Sequence, residues 1–183
     1  MDYREARVYL EELSKYGSVL GLESMKELLR RLGNPQDELR FLHISGTNGK
    51  GSVLAYLSTV LSEAGYRTGR YISPTLFSYR ERIQVDGERI EKEALARHVT
   101  AIAEAIRGME AEHKGSPTVF EVETALGFLY FKEKGCDIVV LETGLGGALD
   151  ATNVIQTPVL EVIASISMDH MDVLGDTLEK IAL

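Results

Sequence analysis

Arg40-Phe41-Leu42-His43-Ile44-Ser45-Gly46-Thr47-Asn48-Gly49-Lys50-Gly51-Ser52 is the stretch that decides how this chain folds. Its first six residues read as a short buried strand. Leu54, Leu57, Val60, Leu61 and Ala64 then mark a helix that ends at Gly65. Between strand and helix, the glycines let the backbone bend so that successive N–H groups face one anion. The helix N-terminus adds the positive end of its dipole. Lys50 is placed to reach terminal phosphates. The spacing departs from the common phosphate loop, with Ile44 where the first glycine is expected and Gly51 where Ser or Thr is usual. A Gly-rich turn carrying a surface lysine would use the same residues. The strand–Gly-Lys–helix context favours a nucleoside triphosphate site.

Upstream, Ala6, Tyr9, Leu10, Leu13 and Tyr16 recur at helical spacing, and Leu22, Met25, Leu28, Leu29 and Leu32 mark a second helix stopped by Gly33-Asn34-Pro35. Downstream, residues 68–72 read as a strand. Ile83-Gln84-Val85 and Glu88-Arg89-Ile90 flank Asp86-Gly87, the turn dipeptide of a tight hairpin. Leu95, Val99, Ile102 and Ile106 lie on one helical face, and residues 120–134 read as another helix. Residues 137–142 form a strongly apolar strand, a Gly-rich loop follows to Asn153, and residues 159–165 give a further strand whose exit carries Asp169-His170. Strands alternating with helices predict an α/β fold: a mainly parallel sheet with helices on both faces, plus a small antiparallel hairpin.

Composition narrows the function. Lys+Arg 20 against Asp+Glu 28 gives a net charge of −8, so no basic stripe is available for a general nucleic-acid binder. The longest uncharged run, from Gly51 to Ser62, is 12 residues and too short for a membrane span. The N-terminus, Met1-Asp2-Tyr3-Arg4-Glu5, lacks the apolar run of a secretory signal. The single Cys136 cannot form an internal disulfide, which fits a reducing cytoplasm.

A second constellation gathers at the strand ends. Ser73, Glu142 and His170 are each read as lying just past the C-terminal end of a strand, the edge where open α/β sheets bind ligands. A carboxylate there suits Mg²⁺, and a hydroxyl can complete its shell, whereas imidazole is less usual for so hard a cation. Glu142 can equally be a solvated strand-end carboxylate, and His170 a partner of Asp169. The loop from Gly144 to Asn153 is either functional or a connection with an Asp-initiated turn. Tyr71-Ile72-Ser73-Pro74-Thr75-Leu76-Phe77 is either a platform for a flat aromatic substrate or a self-packed loop.

Five ordered strings, SGTNGKGS, YISPTLFSYRERIQVDG, TVFEVETALGFLYF, LETGLGGALDATNVI and SISMDHMDVLGDTLEKIA, together closely resemble folylpolyglutamate synthase and dihydrofolate synthase of the Mur ligase superfamily. The resemblance implies an ATP-dependent ligase that adds L-glutamate to a folate or dihydropteroate carboxylate through an acyl phosphate. It implies that Thr47, Asn48, Gly49, Lys50, Gly51 and Ser52 hold the ATP phosphates. Ser73, Glu142 and His170 match the family's magnesium ligands, and Lys50, Glu142 and His170 carry the chemistry. Phe120, Glu121, Leu149, Asp150 and Ala151 match segments lining the pterin site. Two residues depart from the pattern: Thr75 stands where the family has His, and Ala148 where it has Arg, which removes a fixed cation and its donor fork.

Residues 1–183 are therefore expected to form a single ATP-binding domain of the Mur ligase central type, cut short at Leu183. The lysine segment and C-terminal domain that the family carries would lie beyond it. Two other readings stand beside this one: a non-catalytic nucleotide-binding module, and a Mur-type amino-acid ligase of cell-wall synthesis. The Ser-Pro-x-Leu and Glu-Arg-Ile strings argue against the latter.

Overall fold

The strand that opens the phosphate loop is β1 (Phe41–Ser45) in the computed structural model, which describes residues 1–14, 21–156 and 158–182. Tyr16 and Leu183, used above, lie outside the described residues. Six strands form one sheet in the order β4 (Glu88–Arg89), β3 (Ile83–Val85), β2 (Thr68–Tyr71), β5 (Ile138–Glu142), β1, β6 (Leu160–Ile163). β2, β5, β1 and β6 run parallel, while β3 and β4 add the antiparallel hairpin. At its turn, Asp86 and Gly87 have φ of 51° and 82°, the left-handed pair that a two-residue hairpin demands.

Side chains of a strand alternate between faces, and β1 and β5 use both. Phe41, Val139 and Leu141 point into the larger core, built with α1 (Tyr3–Leu13), α2 (Glu23–Arg31), α4 (Lys92–Ala111) and α5 (Val119–Glu133). Leu42, Ile44 and Val140 point the other way, onto Leu54 of α3 (Lys50–Glu63). Helices therefore cover both faces, as the alternating pattern predicts. Gly69 on β2 permits the close approach of α5: a Cβ there would stand 2.8 Å from Phe131 Cδ1. The cover is thinnest at the edge strand β6, where Leu160 and Ile163 remain exposed. Among the described residues, no helix is long and apolar enough to cross a membrane. Cys136 is buried, and burial pushes its thiol pKa up to about 12, so it is chemically quiet.

Glu91, the residue that starts α4, ties that helix to α5. Its carboxylate accepts hydrogen bonds from Lys134 Nζ at 2.6 Å and Tyr130 Oη at 2.5 Å, and these donors, Lys134 foremost, pull its pKa down to about 2. A carboxylate whose folded pKa lies below its unfolded value of about 4.3 stabilises the fold above that pH, and the benefit is lost as pH falls through 2. Glu91→Gln is thus expected to lower the melting temperature at pH 7 and to match wild type near pH 2. The pair is half exposed, so the effect is small. Thermal melts across pH 2–7 check this.

Candidate functional site

β1 delivers the chain to Gly46, and α3 begins at Lys50 with Gly49 as its N-cap at φ 86°. The intervening loop is pinned to the segment that leaves β6. Thr47 N and Asn48 N both donate to Ser165 O, at 2.7 and 3.4 Å, and Ser165 Oγ donates back to Asn48 O at 3.0 Å. Thr47 Oγ1 donates to Ser167 O and accepts from Ser167 N, both at 3.1 Å. Gly46 is required here: its φ is 128°, and a Cβ would lie 3.1 Å from Ser165 O. The N–H groups of Thr47 and Asn48 are therefore engaged. Those of Lys50, Gly51 and Ser52, in the first turn of α3, have no acceptor among the described residues. An anion would meet the helix start and not the loop's leading edge. Lys50 arches back over the loop, its Nζ donating to Gly46 O at 2.8 Å.

Glu142, the last residue of β5, lies 5% exposed on the α3 side of the sheet. Its Oε2 accepts one long bond, from Ser73 N at 3.3 Å, and no cation lies within 4 Å of it among the described residues. Burial pushes its pKa up, against the more distant charges of Lys50 and Arg70. An ionised carboxylate buried without a counter-charge is costly, and a divalent cation would remove that cost. The donor set of this carboxylate and the Ser73 hydroxyl fits such an ion.

His170 stands differently from its sequence-based placement. It lies seven residues beyond β6, not at the strand's end, as the left-handed N-cap of the short helix α6 (Met171–Leu174), which precedes α7 (Leu178–Ala182). Its side chain is largely exposed, with Nε2 3.9 Å from Asp169 Oδ2. It lines a cavity of ≈ 150 Å³ together with Gly46, Thr47, Lys50 and Gly144. Ser73 and Glu142 do not line that cavity, and no group of three His, Cys, Asp or Glu side chains is placed to hold a metal among the described residues. Ala148 also lines it, so the arginine expected there would have reached the neighbourhood of Lys50.

A second cavity, ≈ 330 Å³, gathers Phe120, Glu121, Leu149, Asp150 and Ala151 with Ser73, Pro74 and Arg82. Its carboxylates are part of the scaffold. Asp150 Oδ2 accepts from Gly144 N and Leu145 N, each at 2.9 Å, and Oδ1 accepts from Thr152 N at 2.9 Å and Thr152 Oγ1 at 2.5 Å. Because the Thr152 hydroxyl donates to Asp150, its oxygen accepts from His43 Nε2 at 2.8 Å, which fixes the His43 tautomer. Burial lowers the His43 pKa and keeps the ring neutral for that role. Glu121 Oε2 accepts from Thr118 N at 2.6 Å while Glu121 N donates to Thr118 Oγ1 at 3.3 Å, the reciprocal cap that starts α5. Gly144 packs flat on the Phe120 ring, where a Cβ would stand 2.5 Å from Cζ.

The segment after β2 borders the second cavity through Ser73 and Pro74. Leu76 N and Phe77 N both donate to Glu81 Oε2 at 3.1 Å, and the Leu76 and Phe77 side chains are left 82% and 91% exposed. The tip of this loop is therefore open to solvent, while Tyr71 and Ile72 at its start pack on the cores. Arg82, not among the candidate site residues above, is mostly buried, and among the described residues its Nε and Nη1 have no hydrogen-bond partner. Tyr-Arg-Glu-Arg reads as a solvated turn, and only its position directly before apolar Ile83 hints that the last arginine turns inward.

A glycine loop between the central parallel strand and a helix, beside a buried carboxylate on the adjacent strand, defines a nucleotide-binding α/β domain. No protein-family model matches the chain. The dihydrofolate synthase/folylpolyglutamate synthase of Bacillus subtilis is 44% identical over 181 residues, 98% of this chain and 42% of that protein. A solved FPGS–AMPPCP–folate complex superposes with a TM-score of 0.91 at 36% identity, over 99% of this chain and 44% of that one. E. coli FolC in complex with DHPP and ADP gives 0.86 at 38% identity, over 96% of this chain and 42% of that one. The chain is homologous to the folylpolyglutamate synthase/dihydrofolate synthase family and spans less than half the length of these relatives.

Proposed function

We propose that this chain is the nucleotide- and acceptor-binding part of an ATP-dependent ligase that joins L-glutamate to a folate or dihydropteroate carboxylate. The observation that carries the reading is that the two cavities share a wall. Gly144 and Leu145 line both the cavity of Lys50 and the apolar cavity of Phe120. Phosphoryl transfer between ATP and a carboxylate needs these two reactants side by side. The relatives solved with AMPPCP and folate, and with DHPP and ADP, support the same pairing.

In this reading the acceptor carboxylate attacks the γ-phosphorus of ATP, ADP leaves, and the glutamate amine then displaces phosphate from the acyl carbon to form the amide. The N–H groups of Lys50, Gly51 and Ser52 hold phosphate oxygens, and Lys50 Nζ neutralises the transferring group. Thr47 and Asn48 anchor the loop from Ser165. Glu142 and Ser73 would hold one Mg²⁺, which when bound neutralises phosphate charge, and His170, set apart in the cavity of Lys50, would serve a second metal position. Phe120, Leu149 and Ala151 give the flat ring of the acceptor an apolar bed, while Glu121 and Asp150 hold its walls in place. The glutamate site and the cover that excludes water belong to a further domain, a reading supported by the greater length of the relatives. A cytoplasmic setting accompanies this substrate class.

Titration calorimetry with a non-hydrolysable ATP analogue tests the reading. Mg²⁺ is expected to tighten binding to the wild-type chain, and Glu142→Gln to remove roughly tenfold or more of that gain while leaving metal-free binding intact. Analogue binding that ignores Mg²⁺ in both proteins, or no binding at all, would overturn it.

A further inference from the structure

Three charged side chains line the apolar cavity: Glu121, Asp150 and Arg82. The first two are engaged by protein donors, Asp150 through both oxygens and Glu121 through the helix cap. Arg82 is the exception. None of its N–H groups has a hydrogen-bond partner among the described residues. Nε and Nη1 are sealed from solvent, and Nη2 is the nitrogen left accessible. Nε sits 3.4 Å from Glu123 Oε2 without the alignment of a hydrogen bond, and Glu123 is itself buried. A guanidinium desolvated this far without bonds is costly unless an acceptor arrives. Of the other polar groups on the cavity wall, Glu121 and Asp150 already accept from protein donors, and none of the lining side chains makes a hydrogen bond to Arg82 among the described residues, so a ligand oxygen can fill that place.

We propose that Arg82 is the specificity-determining cation of the acceptor site, taking the anionic carboxylate of a flat aromatic acid through its accessible edge. This rests on the acceptor-cavity reading given above and adds to it the group that tells an acid from its neutral amide. Charge-assisted bonds from guanidinium to carboxylate are about twice as strong as neutral ones, so the acid gains what a carboxamide cannot.

The test is calorimetric titration of the chain with pteroate and with its carboxamide. Wild type is expected to bind the acid roughly tenfold or more tighter than the amide. Arg82→Gln should abolish that preference by weakening the acid alone, and Arg82→Lys should keep part of it. Because Arg82→Gln leaves Glu123 without its neighbour, the double variant Arg82→Gln/Glu123→Gln, which carries no buried charge at the pair, is measured alongside with thermal melts of each. Loss of acid preference in the folded double variant supports the proposal. Equal binding of acid and amide by wild type, or an unchanged preference in the folded variants, would overturn it while leaving the cavity reading standing. Failure of wild type to bind either compound would overturn the cavity reading and this proposal with it.

Discussion

Asp150→Ala is expected to destabilise the fold by on the order of 3–5 kcal/mol, the exceptional end of single substitutions. The side chain is 4% exposed and accepts four hydrogen bonds, three from backbone N–H groups and one from the Thr152 hydroxyl. Removing it strands those donors in a region that water does not readily reach, and each orphan costs about 1–3 kcal/mol before the loop relaxes. Thr152 also loses the acceptor that orients it toward His43, so the disturbance runs into β1. A drop in melting temperature of roughly 10 °C or more corresponds to this loss in a chain of this size. Asp150→Asn keeps one accepting oxygen and should fall between the two. Urea denaturation of the three proteins decides, and a loss below about 1 kcal/mol for the alanine variant would show that loop 144–152 is held by other means.

Lys50→Ala is expected to weaken ATP binding about 10- to 150-fold, the worth of a charge-assisted contact of 1.5–3 kcal/mol, while leaving the fold intact. Lys50 belongs to the partly exposed start of α3 and contributes nothing to either hydrophobic core. Its Nζ donates only to carbonyls of its own loop, Gly46 O and Thr47 O, which solvent can serve in its place. Calorimetry with ATP and a thermal melt separate the two effects. Equal affinities would remove Lys50 from the phosphate site.

Local signals in the sequence carried most of the fold. Asp86-Gly87 announces its hairpin because only such residues accept left-handed angles at both turn positions. The apolar run at 138–141 announces a strand buried on both faces, since its neighbours must cover Val139 and Val140 alike. The five residues that the family resemblance assigns to a pterin site line one cavity. What stayed hidden depends on partners far away in the chain. That Thr47 and Asn48 spend their N–H groups on Ser165 cannot be read from the loop, because the acceptor arrives only when β6 pairs with β1. His170 was placed at a strand end because nothing in Val162 to Ser165 signals that the strand stops at Ile163. Arg82 was missed because exposure of an arginine is the default, and its burial follows from how Glu123 on α5 meets the turn before β3.

The bonds between residues 47–48 and 165–167 join segments 117 to 120 positions apart in the chain. Such a clasp makes the phosphate loop and the exit of β6 one cooperative unit, so neither can open without releasing the other. Thermodynamic linkage then works in both directions. Whatever free energy an anion gives by ordering Gly46 to Ser52 also steadies Ser165 and Ser167, and with them the run that carries His170 toward the same cavity. Conversely, any contact that braces residues 164–170 raises the loop's affinity for its anion by the same factor. Under the proposed function, nucleotide affinity would thus belong to two distant stretches of sequence held by a handful of serine, threonine and asparagine hydrogen bonds.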